Sequence, residues 1–150
     1  MNKIKKVIIV ISCIAIIGMI LMVAYMLTNI KVISLLDSVN SIDDVTQIYV
    51  QLDTVDSEPQ EHIIQQSDYI EQAITYINQI ELSYQGGYSS IPYGNDGTII
   101  LMQINNRDNA IYLTDQGYLY TKTSKYSIKG KNSNCLYNYL FNLFEVDMAR

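Results

Sequence analysis

The sequence has only two cysteines, one histidine and no tryptophan among its 150 residues. Cys13 lies within an apolar, predicted membrane segment and Cys135 lies outside it, so the two cannot pair within one chain and no disulfide framework is predicted. Cys135 is expected either to be buried as a small apolar residue or to form an intermolecular disulfide. His62 stands in an acidic segment, where an exposed loop side chain is expected, and a His62–Cys135 pair would still need a third orienting group. We therefore predict no catalytic residues and interpret the protein as not an enzyme.

The sequence also lacks the residue patterns that are typical of metal-binding and phosphate-binding sites. The acidic segment carries Asp53, Asp56, Glu58 and Glu61, but these do not follow the alternate spacing around a central glycine that a calcium-binding EF-hand loop requires. The glycines at 86–87 and 94–97 have no lysine and no following helix, which a phosphate-binding loop needs. We predict no metal site and no cofactor.

Charged residues are absent from Val7 to Leu27. As a helix, this run is about 31 Å long at about 1.5 Å per residue, which matches a hydrocarbon core of about 30 Å. The run contains Cys13 in a context that formally fits a lipoprotein signal. However, only six residues separate Cys13 from the last lysine, and a long apolar stretch follows it. A spanning helix is therefore favoured over a lipid anchor, and also over a cleavable secretory signal.

Charge on either side of the run predicts an orientation. Lys3, Lys5 and Lys6 precede it and favour a cytoplasmic amino terminus, which places the rest of the chain on the extracytoplasmic side. From Lys31 to Arg150 there are seven Lys and Arg against fifteen Asp and Glu, a difference of −8. Because this part repels phosphate backbones, nucleic acid is not expected as a partner.

Periodicity then predicts the elements of the remaining chain. Residues 28–43 are interpreted as a juxtamembrane linker or helical stalk, with a short strand at 31–35 as the alternative. Alternation in 44–52 predicts a half-buried strand, followed by a solvated loop around Pro59. An apolar stripe predicts a helix that starts with a capping box of Asp68 and Glu71 and ends at the glycines at 86–87.

Four short strand patterns follow at tight intervals, namely TIILMQIN, NAIYLT, GYLYTKT and KYSIK. Turns are predicted between them at 105–108 and at 115–117, the second with Gly117 where a positive φ is tolerated. The chain closes with a predicted helix in NCLYNYLFNLFEV. Adjacent strands without intervening helices indicate an α+β fold, with an antiparallel sheet covered by helices on one face in the order strand, helix, four strands, helix. The predicted units are residues 1–6 as a cytoplasmic tail, 7–27 as a transmembrane helix, 28–43 as a linker and 44–150 as an extracytoplasmic domain.

Tyrosine is the one unusually frequent residue, with thirteen copies. Aromatic rings with a polar tip suit both cross-strand packing and binding surfaces. Cross-strand packing is the simpler interpretation, and a recognition surface is the alternative. The candidates for that surface lie on the strand patterns and around the irregular segment before them, namely Tyr84, Tyr88, Tyr93, Tyr118 and Tyr120.

The segments DDVTQIYVQL, DYIEQAITYINQI, GTIILMQI, NAIYLTDQGYLY, KYSIKG and CLYNYLFNLF, between residues 43 and 145, occur in an order that resembles small membrane-anchored Gram-positive envelope proteins. The α+β domains of those proteins have no known function. The resemblance implies a single-pass protein with a tethered extracytoplasmic domain, and it carries over no functional residues.

These features predict a binding or interaction module of the bacterial cell envelope. Its expected partners are membrane lipid, through the amino-terminal helix, and another envelope protein. The alternative is an immunity or inhibitor protein that acts against a secreted toxin at the membrane surface.

Overall fold

The computed structural model describes residues 3–35, 44–105, 110–130 and 133–148. Within these ranges the chain forms three α-helices, one short 3-10 helix (Val32–Leu35) and eight strands. The helices are α1 (Lys3–Thr28), α2 (Ser67–Gln79) and α3 (Cys135–Met148). The strands are β1 (Ile30–Lys31), β2 (Ile48–Thr54), β3 (Ser57–Ile64), β4 (Glu81–Gly86), β5 (Thr98–Ile104), β6 (Ala110–Thr114), β7 (Tyr118–Tyr120) and β8 (Lys125–Ile128).

All eight strands belong to one sheet, in the order β1-β4-β8-β7-β6-β5-β2-β3, and every neighbouring pair is antiparallel. The helices α2 and α3 pack on one side of this sheet, and their buried side chains share a single hydrophobic cluster with the strands. The predicted α+β class and antiparallel sheet are confirmed. We call the side of the sheet under α2 and α3 the helical side, and the other side the open side.

Alternation along β2 and β5 explains which residues enter the core. Ile48, Val50 and Leu52 of β2 are buried, and they lie opposite residues of β5 that are also buried, namely Ile104, Met102 and Ile100. Because successive side chains of a strand point to opposite sides, these residues all face the helical side. The strand predicted at 44–52 is therefore confirmed over its apolar part.

The helix α1 is apolar and lies outside this core. Its segment Ile8–Thr28 has 21 residues, is not buried, and is long and apolar enough to cross a membrane. Cys13 lies in the middle of α1 and is exposed.

The connection from α1 to the sheet is short. Ile30 pairs with Leu82 and Lys31 pairs with Glu81, where the Lys31 and Glu81 side chains form an ion pair at 2.9 Å. Val32 is fully buried. The first part of the predicted linker thus belongs to the sheet and core, and residues 36–43 of that linker lie outside the described residues.

The carboxyl-terminal end of α1 also forms hydrogen bonds with Lys129, the residue that follows β8. Lys129 Nζ donates a hydrogen bond to the carbonyl oxygen of Thr28 and lies 3.3 Å from Asn29 Oδ1. Asn29 Nδ2 in turn donates to the carbonyl oxygen of Tyr25 at 2.9 Å. A cation at this position complements the unpaired carbonyls of a helix terminus, so α1 is joined to the β1 edge by side-chain bonds as well as by the chain.

The predicted loop around Pro59 was wrong, because this segment is the edge strand β3. An edge strand has one flank free, so it can carry polar side chains and even proline, whose missing N–H then faces outward. This strand of eight residues was not predicted because its composition resembles that of a loop.

The predicted helix at α2 is confirmed, with Ile70, Ala73, Ile74 and Ile77 buried. Its predicted ends were wrong. The N-cap residue is Gln66, which makes no side-chain capping bond, so the Asp68–Glu71 capping box does not form. The helix ends at Gln79 because Ile80 is extended, and the chain continues as β4 up to Gly86.

The four later strands and the final helix are confirmed as β5 to β8 and α3. Gly117 has the expected positive φ of 73° in the turn between β6 and β7. The other predicted turn begins at Asn105, and residues 106–109 lie outside the described residues. Leu136, Leu140 and Phe144 of α3 are buried.

Tyr139 holds α3 against α2. Its ring lies 5.3 Å from that of Tyr76, and its hydroxyl donates to the carbonyl oxygen of Tyr69 at 2.9 Å. Burial raises the pKa of Tyr139 to about 12, with smaller contributions from Tyr69 and Tyr76.

This raised pKa predicts alkaline destabilisation. An unfolded phenol has a pKa of about 10, so below pH 10 both states are neutral and the folded state keeps its full stability. Between about pH 10 and the folded pKa of about 12, the unfolded chain releases a proton that the folded chain retains, and the free energy of unfolding falls. We expect Tyr139→Phe to reduce this slope, as measured by urea unfolding in detergent micelles followed by circular dichroism. The same variant at pH 7 isolates the cost of the lost hydrogen bond, and an unchanged alkaline slope would contradict the role of Tyr139.

Candidate functional site

The open side of the sheet is partly covered by the segment 87–97, which connects β4 to β5. In the sheet these two strands are separated by β8, β7 and β6, so the connection must cross them. Two tyrosines of the segment mark its path: the ring of Tyr88 lies 5.3 Å from that of Tyr120, and Tyr93 Oη lies 3.4 Å from Asp53 Oδ2. We call residues 87–97 the crossing segment.

A group of tyrosines lies under and beside the crossing segment. Tyr112 pairs with Tyr120, and Tyr118 lies 6.4 Å from Tyr120 by ring centroids. Lys125 Nζ lies 3.7 Å from the centroid of the Tyr118 ring, a distance suited to a cation–π contact. Tyr88, Tyr112, Tyr118 and Tyr120 are called the tyrosine cluster. Tyr112 and Tyr120 form a cross-strand pair, Tyr118 is a neighbour of Tyr120 on β7, and Tyr88 packs on Tyr120 from the crossing segment.

Tyr120 is the buried centre of the tyrosine cluster, with 1% of its surface exposed. Burial raises the pKa of both Tyr120 and Tyr88, and neighbouring tyrosines raise it further. The Tyr88 hydroxyl donates to the carbonyl oxygen of Thr121, whereas Tyr120 Oη has no hydrogen-bond partner among the described residues. Ring packing therefore holds Tyr120, and its side chain is not accessible to a partner.

The five tyrosines predicted as a binding surface separate into three groups. Tyr88 and Tyr118 come together at Tyr120, and Tyr93 lies near Asp53 on the same side of the sheet. Tyr84 pairs with Tyr126, which is buried on the helical side, and the two rings are 5.7 Å apart. Tyr84 therefore does not share a surface with the others.

A second group of open-side residues was not predicted. Tyr49 lies opposite Ile63 on β3, Leu101 lies opposite Tyr112 on β6, and all four side chains face the open side. Ile63 is 53% exposed, and the other three are partly exposed. We call Tyr49, Ile63, Leu101 and Tyr112 the open-side patch. The alternation that buries Ile48 and Val50 implies that Tyr49 points away from the core, and this was the available sequence signal.

Polar side chains border the open-side patch. Tyr49 Oη lies 3.3 Å from Gln51 Oε1. Burial raises the pKa of the Tyr49 hydroxyl, and the neighbouring Glu61 raises it further. The patch thus combines apolar area with amide and carboxylate groups, the mixture found at partner-binding surfaces.

Charge is divided between the two edges of the sheet. No Lys or Arg occurs between Lys31 and Arg107, so β2, β3, α2 and β4 contain no Lys or Arg. The β2–β3 hairpin carries Asp53, Asp56, Glu58 and Glu61. Within the described part of the domain, the lysines lie on or next to β1, β7 and β8, namely Lys31, Lys122, Lys125 and Lys129. The β3 edge is therefore acidic, and the edge joined to α1 is basic.

The described residues offer another candidate binding site and no metal site. A cleft of about 580 Å³ lies beside the first turns of α2, with Ile70 and Ile74 among its lining residues and Thr46, Gln65 and Glu71 as polar members. No group of three His, Cys, Asp or Glu side chains that could hold a metal ion occurs in the described ranges.

The histidine and the carboxyl-terminal cysteine are placed as follows. His62 is not the exposed loop residue expected, because it lies in β3, is partly buried, and contacts the Phe144 ring at 6.0 Å. Cys135 begins α3 and is partly exposed.

Comparison with protein-family models, with curated proteins and with solved structures finds no match to this chain. The resemblance to Gram-positive envelope proteins therefore stays a prediction.

The carboxyl-terminal end of the crossing segment is fixed by two aspartates. Asp115 Oδ1 accepts a hydrogen bond from the Asn95 backbone at 2.7 Å, and Asp96 Oδ1 accepts one from the Thr98 backbone at 3.0 Å. Tyr137 donates its hydroxyl proton to Asp96 Oδ2, and burial followed by this aspartate raises the pKa of Tyr137. These bonds connect the crossing segment to both the sheet and α3.

Gly94 lies inside this bonded group. A Cβ at Gly94 would collide with Asp115 Oδ1 and would lie 2.9 Å from Asp96 Oδ1 and 3.0 Å from the Thr98 carbonyl oxygen. We expect Gly94→Ala to lower the free energy of unfolding by about 1–3 kcal/mol, the usual cost of overpacking. Chemical denaturation in detergent micelles measures this.

Gly87→Ala is the matched control at the other end of the crossing segment. Its Cβ would meet only the Thr123 carbonyl oxygen, at 3.6 Å, which is an ordinary contact. We expect a change within about 0.5 kcal/mol. Equal losses in the two variants would show that the aspartates do not fix the crossing segment.

Proposed function

We propose that the chain is a single-pass membrane protein whose extracytoplasmic α+β domain binds another protein of the cell envelope. The observation that carries this proposal is the position of α1. An exposed apolar helix of 21 residues, of membrane-spanning length, is joined without a long linker to one edge of the sheet. The open-side patch lies toward the other edge.

A spanning helix accounts for α1 better than a lipid anchor at Cys13. The helix continues for 15 residues beyond Cys13, from Ile14 to Thr28, and those in Ile14–Leu27 are apolar or small apart from Tyr25. Burying this stretch in hydrocarbon satisfies its backbone bonds within the helix and removes its apolar side chains from water. Lys3, Lys5 and Lys6 before the apolar run favour a cytoplasmic amino terminus.

The junction between α1 and the domain also supports a tethered binding module. The β1–β4 pairing and the bonds of Lys129 to the end of α1 hold the helix and the sheet together. Such a junction sets the height and direction of the domain, so a surface at the far edge is presented at a defined distance from the membrane. Eight strands about 4.8 Å apart span roughly 34 Å from the first to the last.

Photo-crosslinking in intact cells tests the binding function. A photoreactive phenylalanine derivative replaces Tyr112 in the open-side patch or, as the matched control, Tyr84 on the helical side, which is 41% exposed. We expect one discrete adduct with an envelope protein from position 112 and none from position 84, because only the first lies in the proposed binding surface.

Protease added to the same intact cells should remove the domain together with its adduct, since both are expected outside the membrane. A domain that stays protected would contradict the orientation. Adducts from both positions, or from neither, would contradict binding through the open-side patch.

A further inference from the structure

The outer edge of β3 has a backbone pattern that can be derived from its neighbours. The Asn105 backbone N–H donates to the Gln47 carbonyl and the Val55 N–H donates to the Gly97 carbonyl, so the odd-numbered residues of β2 bond toward β5. In an antiparallel sheet, successive residues bond to alternate sides. The even-numbered residues of β2 therefore bond toward β3.

The register between β2 and β3 shows which residues of β3 bond to β2 and which bond outward. Val50 pairs with His62 and Ile48 pairs with Ile64, so His62 and Ile64 direct their backbone groups to β2. The backbone groups of Glu61 and Ile63 then point away from the sheet. Pro59 lies at the shift of register between Leu52 and Thr54, and a proline is tolerated at such an irregularity of an edge strand.

The second half of the edge, which pairs with β2 in regular register, offers donors to another strand. Pro59 has no N–H, whereas Glu61 and Ile63 each present an N–H and a carbonyl. Their side chains lie on the open side, where Ile63 is 53% exposed and borders Tyr49. This stretch can extend the sheet, and a strand added there would also extend the open-side patch.

The charge of the β2–β3 hairpin indicates which kind of strand can be added to the β3 edge. The β2–β3 hairpin carries four carboxylates and no Lys or Arg, so it attracts a basic segment and repels an acidic one. Self-pairing of two β3 edges would bring two acidic hairpins together, and like charges on paired strands are destabilising. The complementary occupant is an extended segment in which lysine or arginine alternates with apolar residues.

We propose that the edge formed by Glu61 and Ile63 binds an extended, basic segment of the partner protein by strand addition. This inference rests on the proposed binding function and adds the chemistry of the partner. Backbone hydrogen bonds to Glu61 and Ile63 would supply affinity. Because Glu61 and Ile63 face the same side, the basic side chains of an alternating segment would lie beside both, with a charged group at Glu61 and an aliphatic stem against Ile63, and its apolar side chains would lie on the helical side.

A labelled peptide of alternating lysine and valine is the probe, measured by fluorescence anisotropy with the full chain in detergent micelles. A peptide of alternating lysine and proline, equal in length and charge, is the control because it cannot form a strand ladder. We expect the lysine–valine peptide to bind, and the lysine–proline peptide to bind at least about ten-fold more weakly, since several backbone bonds of about 1 kcal/mol each are lost.

Two variants of the protein separate the backbone from the charge. Ile63→Pro removes an outward N–H without removing a bond to β2, and we expect it to weaken binding of the lysine–valine peptide by about ten-fold. Glu61→Gln should weaken binding by about two- to five-fold at low salt. Gln79→Lys at the end of α2 changes the net charge by the same amount, and we expect it to leave binding unchanged.

Slowed amide exchange at Glu61 and Ile63 of the unmodified protein on peptide addition is a readout that does not depend on the folding of any variant. Strand addition is overturned if the two peptides bind equally, if Gln79→Lys weakens binding as much as Glu61→Gln, or if no peptide binds and exchange is unchanged. In each of these cases, a crosslink at position 112 would still support the tethered binding module. If neither the crosslink nor peptide binding is observed, both the binding module and strand addition are refuted.

Discussion

The antiparallel pairing of β2 with β5 is the interaction on which the rest of the domain depends. It is continuous over seven register pairs, from Ile48 opposite Ile104 to Thr54 opposite Thr98. It joins the β2–β3 hairpin to the β5–β8 meander, two parts of the sequence that are separated by α2 and β4. Because both strands alternate, their pairing creates one apolar side, which α2 and α3 bury, and one mixed side. The core and the candidate binding surface are thus two consequences of the same register.

The two edges of the sheet differ in charge and in what they contact. The β1 edge is connected to α1, contains the Lys31–Glu81 ion pair and lies near the basic residues of β8. The β3 edge lies at the other end, carries the acidic hairpin and presents outward backbone groups. In the function proposed above, α1 spans the membrane, and the basic edge would lie toward the lipid headgroups and the acidic edge away from them. Attachment and recognition would then occupy opposite ends of one sheet.

Sequence periodicity predicted the elements whose side chains meet the core on a regular repeat. The stripe of Ile70, Ile74 and Ile77 in α2 and the alternation of Ile48 and Val50 in β2 are of this kind. It missed β3, since an edge strand with one free flank can carry the composition of a loop. It also missed β4, because Ile80 and Leu82 continue the apolar pattern of α2 while the backbone has already become extended.

The candidate site was harder to predict, since its residues come together only through register. Tyr49 and Ile63 are adjacent because β2 pairs with β3, and Leu101 and Tyr112 because β5 pairs with β6. Amide hydrogen exchange by NMR on the full chain in detergent micelles tests the central feature, a paired β3 with an open outer edge. The predicted result is slow exchange at His62 and Ile64, which bond to β2, and fast exchange at Glu61 and Ile63. Equal rates at all four amides would contradict it, since fast exchange throughout means no strand and slow exchange throughout means an edge that is already covered.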